Sequence, residues 1–202
     1  MHRSSWEEVL AIDYSIMEYT RRSRGLAIEF ALLGYLVETP MHGYELRDRL
    51  SQGLGALWRI ASSQLYQVLR RLRSAGWVES SVEAGSSGPS RNVYRITTKG
   101  VTAFWDWAAA PVAHMRQIRI EFFAKLYFVR RLAPARVADL VARQIAVLRA
   151  LHTHLCMQEQ VESDDVELGK LAASYRRSQV ESTIRWLEES AAECAAGGKE
   201  TQ

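Results

Sequence analysis

The chain has 202 residues, enough for one large domain or two smaller ones that each bury a core. Apolar residues make up 48% and charged residues 24%, which is ordinary for a soluble globular protein, and a formal net charge of +3 excludes a histone-like basic coat. No apolar run approaches the ~20 residues that a membrane helix needs. Cys156 and Cys194 are too few and too far apart for a disulfide framework, and the opening MHRSSWEEVL lacks a secretory apolar core, so a cytoplasmic protein is expected.

Taken in chain order, Trp6 to about Tyr19 reads as a helix that Ser5 and Glu8 can cap as a box. A basic hinge, Arg21 to Gly25, follows, and then an apolar helix from Leu26 to Glu38, stopped at Thr39-Pro40 because the residue before proline avoids helical geometry. A third helix is expected from His42 to about Leu54, with Tyr44, Leu46 and Leu50 inward and Gly53 and Gly55 making the turn after it. Ser62 suits an N-cap for a fourth helix, Ser63 to Ala75, closed by Gly76. Trp77 to Val82 and Asn92 to Ile96 alternate as strands, separated by a Gly/Ser/Pro loop over 83–91. Thr97 or Thr98 caps a further helix through Trp107. Beyond it the pattern is helical throughout: Ile118 to Leu132, Pro134 to about Glu159, a break at Ser163-Asp164-Asp165, and a last helix to about Cys194.

The expected fold class is therefore mainly α, with an N-terminal winged helix-turn-helix domain bearing a two-stranded wing and an all-α C-terminal dimerisation domain. The corresponding divisions are an extension over 1–25, the winged domain over 26–110, the helical domain over 111–194 and a frayed tail over 195–202.

Charge is concentrated where that fold would need it. Between Ser62 and Lys99 the cations Arg70, Arg71, Arg73, Arg91, Arg95 and Lys99 face only Glu79 and Glu83, an excess larger than that of the whole chain. On a wheel of the fourth helix, Leu65, Val68, Leu69 and Leu72 form one stripe, and Ser63, Gln67, Arg70 and Ser74 lie opposite, flanked by Gln64, Tyr66, Arg71 and Arg73. Gln pairs bidentately with adenine and Arg with guanine, which makes Gln64, Gln67 and Arg70 candidates for reading base edges. Arg71 and Arg73 suit phosphate or solvent. Arg91 and Arg95 on the wing suit the minor groove or backbone beside that contact.

These residues carry a family resemblance. Leu32-Leu33-Gly34-Tyr35-Leu36, Met41-His42-Gly43-Tyr44-Glu45-Leu46, the run Leu57 to Leu72, Ala75-Gly76-Trp77-Val78 and Tyr94 to Gly100 resemble PadR-type transcriptional regulators in order and spacing. Arg119 to Phe128 and Ile184 to Glu189 resemble the helical C-terminal domain of the longer members, so the resemblance covers about 26–190. It implies a homodimer held by C-terminal helices, with Leu126, Leu171, Tyr175, Trp186 and Leu187 at the interface, binding double-stranded DNA at a two-fold operator. It also implies that His42, Gly43 and Tyr44 place a helix start near phosphate, that Ser62 and Ser63 open the reading helix, that Tyr66 lies on the DNA-facing surface, and that Arg91, Arg95 and Lys99 hold backbone. Many such regulators are repressors released by a small, often aromatic, molecule. The first 25 residues depart from the family pattern.

Trp105, Phe122, Phe123 and Tyr127 concentrate aromatic mass after the wing, and two uses stand open, packing of the connecting helices or stacking of an aromatic ligand. His152 and Cys156 are spaced to share a helix face, but two ligands make no metal site and neither CxxC nor HExxH accompanies them. No metal or cofactor is expected. Gly-rich phosphate loops, nucleophile elbows and paired-carboxylate motifs are absent from the sequence, so catalysis is not expected either. Two other functions fit the pattern less well: a winged-helix module that binds protein rather than DNA, and a small-molecule-binding protein without an operator.

Overall fold

A computed structural model describes residues 27–57, 59–83, 91–157 and 166–196, and its described residues fall into two compact units. The first runs to Trp107 and takes in Arg116–Ala124; the second consists of Ala108–Met115 and the chain from Lys125 on. The expected Trp6–Tyr19 helix, the basic hinge, the hairpin tip, the Ser163–Asp165 break and the end of the tail lie outside the described residues.

In the first unit, helix α1 (27–38) buries Ala27, Ile28 and every residue from Ala31 to Leu36, so its middle is covered on all sides, as a core helix is. It stops before Pro40. The next two residues form a short strand, β1 (Met41–His42), and helix α2 (Gly43–Leu54) starts directly after it, burying Leu46, Leu50 and Leu54, whereas Tyr44, expected inward, is exposed in its first turn. Glu45 fixes that start, its carboxylate accepting the His42 backbone N–H at 2.7 Å. His42 thus belongs to a strand and not to the first turn of the helix. A two-residue strand carries no periodicity to read, and this one exists because it pairs with β3, about fifty residues later.

Helix α3 (Ser62–Ser74) starts one residue earlier than expected: Ala61 is its N-cap, without a side-chain capping bond, and Ser62 is already helical. Its end follows the sequence signal. Gly76 adopts φ 72°, its N–H bonds to the Arg73 carbonyl, and the Trp77 N–H bonds to the Leu72 carbonyl, the pair of bonds that satisfies a helix C-terminus through a left-handed residue. Strands β2 (Val78–Glu83) and β3 (Arg91–Ile96) then pair antiparallel from Val78↔Ile96 to Glu83↔Arg91, and β1 adds on the other side of β3, giving the order β1-β3-β2. The wing is a two-stranded hairpin extended by a third short strand.

Thr97 joins sheet to helix. Its hydroxyl donates to the Gly76 carbonyl at 2.8 Å and accepts the Gly100 N–H at 3.1 Å, capping α4 (Thr98–Ala109). Gly100 is required there, since a Cβ would lie 2.2 Å from the Trp77 carbonyl oxygen. Phe30 stacks on Trp107 at 5.0 Å and packs against Trp77 at 5.6 Å, and the Trp107 indole N–H donates to Glu121 at 3.1 Å. Glu121 lies in a π-helical turn (Ile118–Phe122) that follows the short helix α5 (Met115–Gln117), so the helix expected from Ile118 begins earlier and opens irregularly.

Helix α6 (Phe123–Leu132) carries the chain into the second unit, where a 3₁₀ turn (Pro134–Arg136), α7 (Val137–Met157) and α8 (Val166–Ala196) follow. Arg149 pairs with Glu188 at 2.8 Å and His152 with Glu181 at 2.8 Å, so α7 and α8 run antiparallel. Their packing buries Leu140, Val141, Leu148, Val180 and Leu187. Two buried polar side chains serve the irregular segment after α4. Gln144 accepts the Val112 N–H at 2.8 Å and donates to the Val112 carbonyl at 3.0 Å, while the Lys125 ammonium donates to the Ala110 carbonyl at 2.8 Å. Among the described residues no helix is long and apolar enough to cross a membrane.

Candidate nucleic-acid interface

Helix α3 divides as its wheel predicts. Leu65, Val68, Leu69 and Leu72 are buried, each contributing about 1.5–3 kcal/mol of apolar burial, and this anchors the helix to the unit's core. Ser62, Ser63, Gln64, Tyr66, Gln67, Arg70, Arg71, Arg73 and Ser74 are exposed on the other side. Only a helix fixed by its buried stripe can hold those amide, hydroxyl and guanidinium groups in a constant arrangement for base edges or phosphates.

The start of α2 is brought against α3. Gly43 lies beneath the Tyr66 ring, where a Cβ would approach Tyr66 Cε1 to 2.8 Å, and the ring stays about half exposed. His42 and Tyr44 stack in parallel at 5.5 Å, and His42 Nδ1 lies 3.2 Å from the Asn92 carbonyl oxygen of β3. His42, Gly43, Tyr44 and Tyr66 therefore lie together beside strand β3 of the wing. Tyr94 of that strand is buried, and burial, with Tyr66 nearby, raises its phenol above the ordinary value while Arg73 opposes the shift. Tyr94 is thus a neutral phenol under ordinary conditions.

The cations differ in how they are held. Arg70 makes no ion pair or hydrogen bond among the described residues, whereas Arg71 donates from Nε to Glu29 of α1 at 2.7 Å. Arg95 lies 3.9 Å from its cross-strand neighbour Glu79, and Lys99 donates to the Ala75 carbonyl at 2.9 Å, binding it to the C-terminal end of α3. Arg91 opens β3 opposite Glu83, and its side chain lies outside the described set. Ser62 accepts a long 3.5 Å contact from Arg47 instead of capping α3. Sequence reasoning missed Glu29 and the Asn92 carbonyl. Glu29 had a signal, as a single acid within the apolar run of α1; the Asn92 contact had none, because it depends on strand pairing.

The other candidates separate. Phe122 is fully buried, Trp105 meets Phe104 edge-on at 5.1 Å, and Phe123 meets Phe122 at 6.5 Å, all in the first unit. Tyr127 belongs to the second unit, edge-on to Phe128 at 5.0 Å with the Arg131 guanidinium 5.4 Å from its ring centre. Of the residues expected at a chain–chain interface, Leu126 and Leu187 are buried within their own chain, so its core already uses them; Leu171, Tyr175 and Trp186 are exposed on α8. Apolar periodicity marks a face that needs cover without saying which chain covers it. His152 and Cys156 do share a face, the thiol sulfur 3.9 Å from the imidazole nitrogens, yet among the described residues no group of three metal-ligating side chains is gathered.

Residues 32–105 match the model of the transcriptional regulator PadR-like family, and residues 118–195 match that of the virulence activator alpha C-terminal family. The chain is 25% identical over 118 residues to the negative transcriptional regulator PadR of Bacillus subtilis, an alignment that takes in 58% of this chain and 65% of that protein, so the chain spans just under two thirds of that relative's length. Among solved structures it is similar to Bacillus subtilis PadR in complex with operator DNA (22% identity, 82% of this chain and 98% of the other, TM-score 0.42) and to the same protein with p-coumaric acid (21%, 83% and 98%, TM-score 0.36). The winged head, over residues 32–105, is thus similar to that of the PadR-like family of transcriptional regulators.

Proposed function

We propose that this chain is a DNA-binding transcriptional repressor that acts as a cytoplasmic homodimer and responds to a small molecule. The observation that carries the reading is the exposed Ser/Gln/Arg face of α3, held rigid by a buried Leu/Val stripe and set beside the start of α2 and the wing. In this reading Ser63, Gln64 and Gln67 meet base edges, His42, Tyr44 and Tyr66 approach one phosphate strand, and Arg91 and Arg95 approach the backbone from the wing. Repression is supported by the curated relative, itself a negative regulator. Dimerisation through the second unit is supported by the exposed Leu171, Tyr175 and Trp186. That the small molecule is aromatic is what the resemblance to PadR-type regulators implies.

The test is binding of the purified protein to the promoter fragment upstream of its own gene and to a random duplex of equal length, across a salt series. The expected result is a preference for the promoter that persists as salt rises, while both affinities fall log-linearly. Equal binding to both duplexes at every salt concentration contradicts operator recognition.

A further inference from the structure

The C-terminal half of α3 carries a shallow open depression lined by Gln67, Arg70, Arg71 and Ser74. Its groups are two guanidiniums, an amide and a hydroxyl, with no acid on the lining, which is donor chemistry suited to an oxyanion. The two arginines are prepared differently. Arg71 is held through Nε by Glu29, whose side chain is only 14% exposed while that of Arg71 is 54% exposed. The carboxylate is therefore fixed by the body of α1, and the single bond through Nε leaves the two Nη groups of Arg71 with no acceptor among the described residues. Arg70, one residue earlier, has none either. Arg70 also lies eight residues beyond Ser62, about 12 Å along the helix axis at ~1.5 Å per residue, whereas base edges are met by the N-terminal residues of a reading helix.

We infer that this depression is a seat for one DNA backbone phosphate, gripped by Arg70 and the outer fork of Arg71, and that Glu29 is a positioning residue that aims Arg71 at it. The inference rests on the DNA-binding reading above and reassigns Arg70 from base reader to phosphate ligand. A partly buried acid beside a DNA-contacting arginine then has a physical purpose: it restricts the rotamers of a long side chain before the phosphate arrives, lowering the ordering cost of binding.

The experiment measures binding of the full chain and its variants to the promoter fragment and to a scrambled duplex by anisotropy across a salt series. Arg70→Ala and Arg71→Ala are each expected to weaken both duplexes about equally, roughly tenfold, and to lower the log–log salt slope by about one, the signature of one lost phosphate contact. Glu29→Ala is expected to weaken both duplexes several-fold, whereas Glu29→Gln, which keeps an acceptor for Nε, binds at least as tightly as wild type. Inorganic phosphate at matched ionic strength is expected to compete no better than chloride, since the seat takes its phosphate as part of a duplex; specific competition would make it a free-anion site and overturn the inference. If Arg70→Ala instead changes the promoter-to-scrambled ratio, or leaves the salt slope unchanged, the seat is overturned while DNA recognition stands. If wild type binds neither duplex, both readings fall.

Discussion

Helices α3 and α8 solve the same problem to different degrees. In α3, thirteen residues bury four large aliphatic side chains within their own unit, and what remains outside is almost wholly polar. In α8, of the residues from 166 to 190, only Gly169, Val180 and Leu187 are buried, and Leu168, Leu171, Tyr175 and Trp186 are left exposed. A helix whose apolar demand is met inside its own chain can give its outer face to chemistry. One whose demand is unmet has apolar surface to cover, and covering it is the use proposed here for a second copy.

The largest effects should come from the buried positions, where the two helices are alike. Leu69→Ala in α3 and Leu187→Ala in α8 each remove a fully packed side chain and are expected to cost about 2–5 kcal/mol in denaturant unfolding. A cost below 1 kcal/mol for either would show that its helix is not docked as described. The outer faces should then diverge. Leu171→Ala is expected to change folding stability by only about 0.5 kcal/mol at concentrations where the chain is monomeric, while shifting the sedimentation-measured association to weaker values. Unchanged association would remove α8 from the proposed interface. Gly43→Ala probes the head: a methyl group there pushes the Tyr66 ring aside, and because that ring is half exposed the expected loss is in DNA affinity more than in melting temperature.

The smallest effect is a pH dependence. The Tyr94 phenol is raised in the folded chain, so its contribution to stability is complete below the unfolded phenol's pKa and is lost as pH rises through the folded value. Alkaline destabilisation should therefore be slightly steeper in wild type than in Tyr94→Phe, compared by chemical denaturation above about pH 9. Identical slopes would mean that the buried phenol is not perturbed.

What was legible in the sequence follows from how local each cause is. The buried stripe of α3 and its Gly76 terminus were readable, because a heptad-scale pattern and one left-handed glycine act within a few residues. The start of α3 was misplaced by one residue, since Ser62 resembles a cap while its backbone is already helical. Strand β1, the Asn92 contact to His42 and the Glu29–Arg71 pair depend on partners 42 to 53 residues away, and such pairings leave little local trace. Lys99 shows the same limit in reverse. It counts among the cations of the head, yet it is tied to the Ala75 carbonyl, a use that charge alone does not reveal.

The claim on which the rest depends is that the outer face of α3 reads sequence. Its most direct measurement is selection of preferred duplexes from a randomised pool by wild type and by Gln67→Ala, scored position by position. The account predicts that the variant loses preference, by about 1–3 kcal/mol, at one base position in each half-site and keeps the rest. An unchanged preference profile, or no profile in either protein, would contradict it.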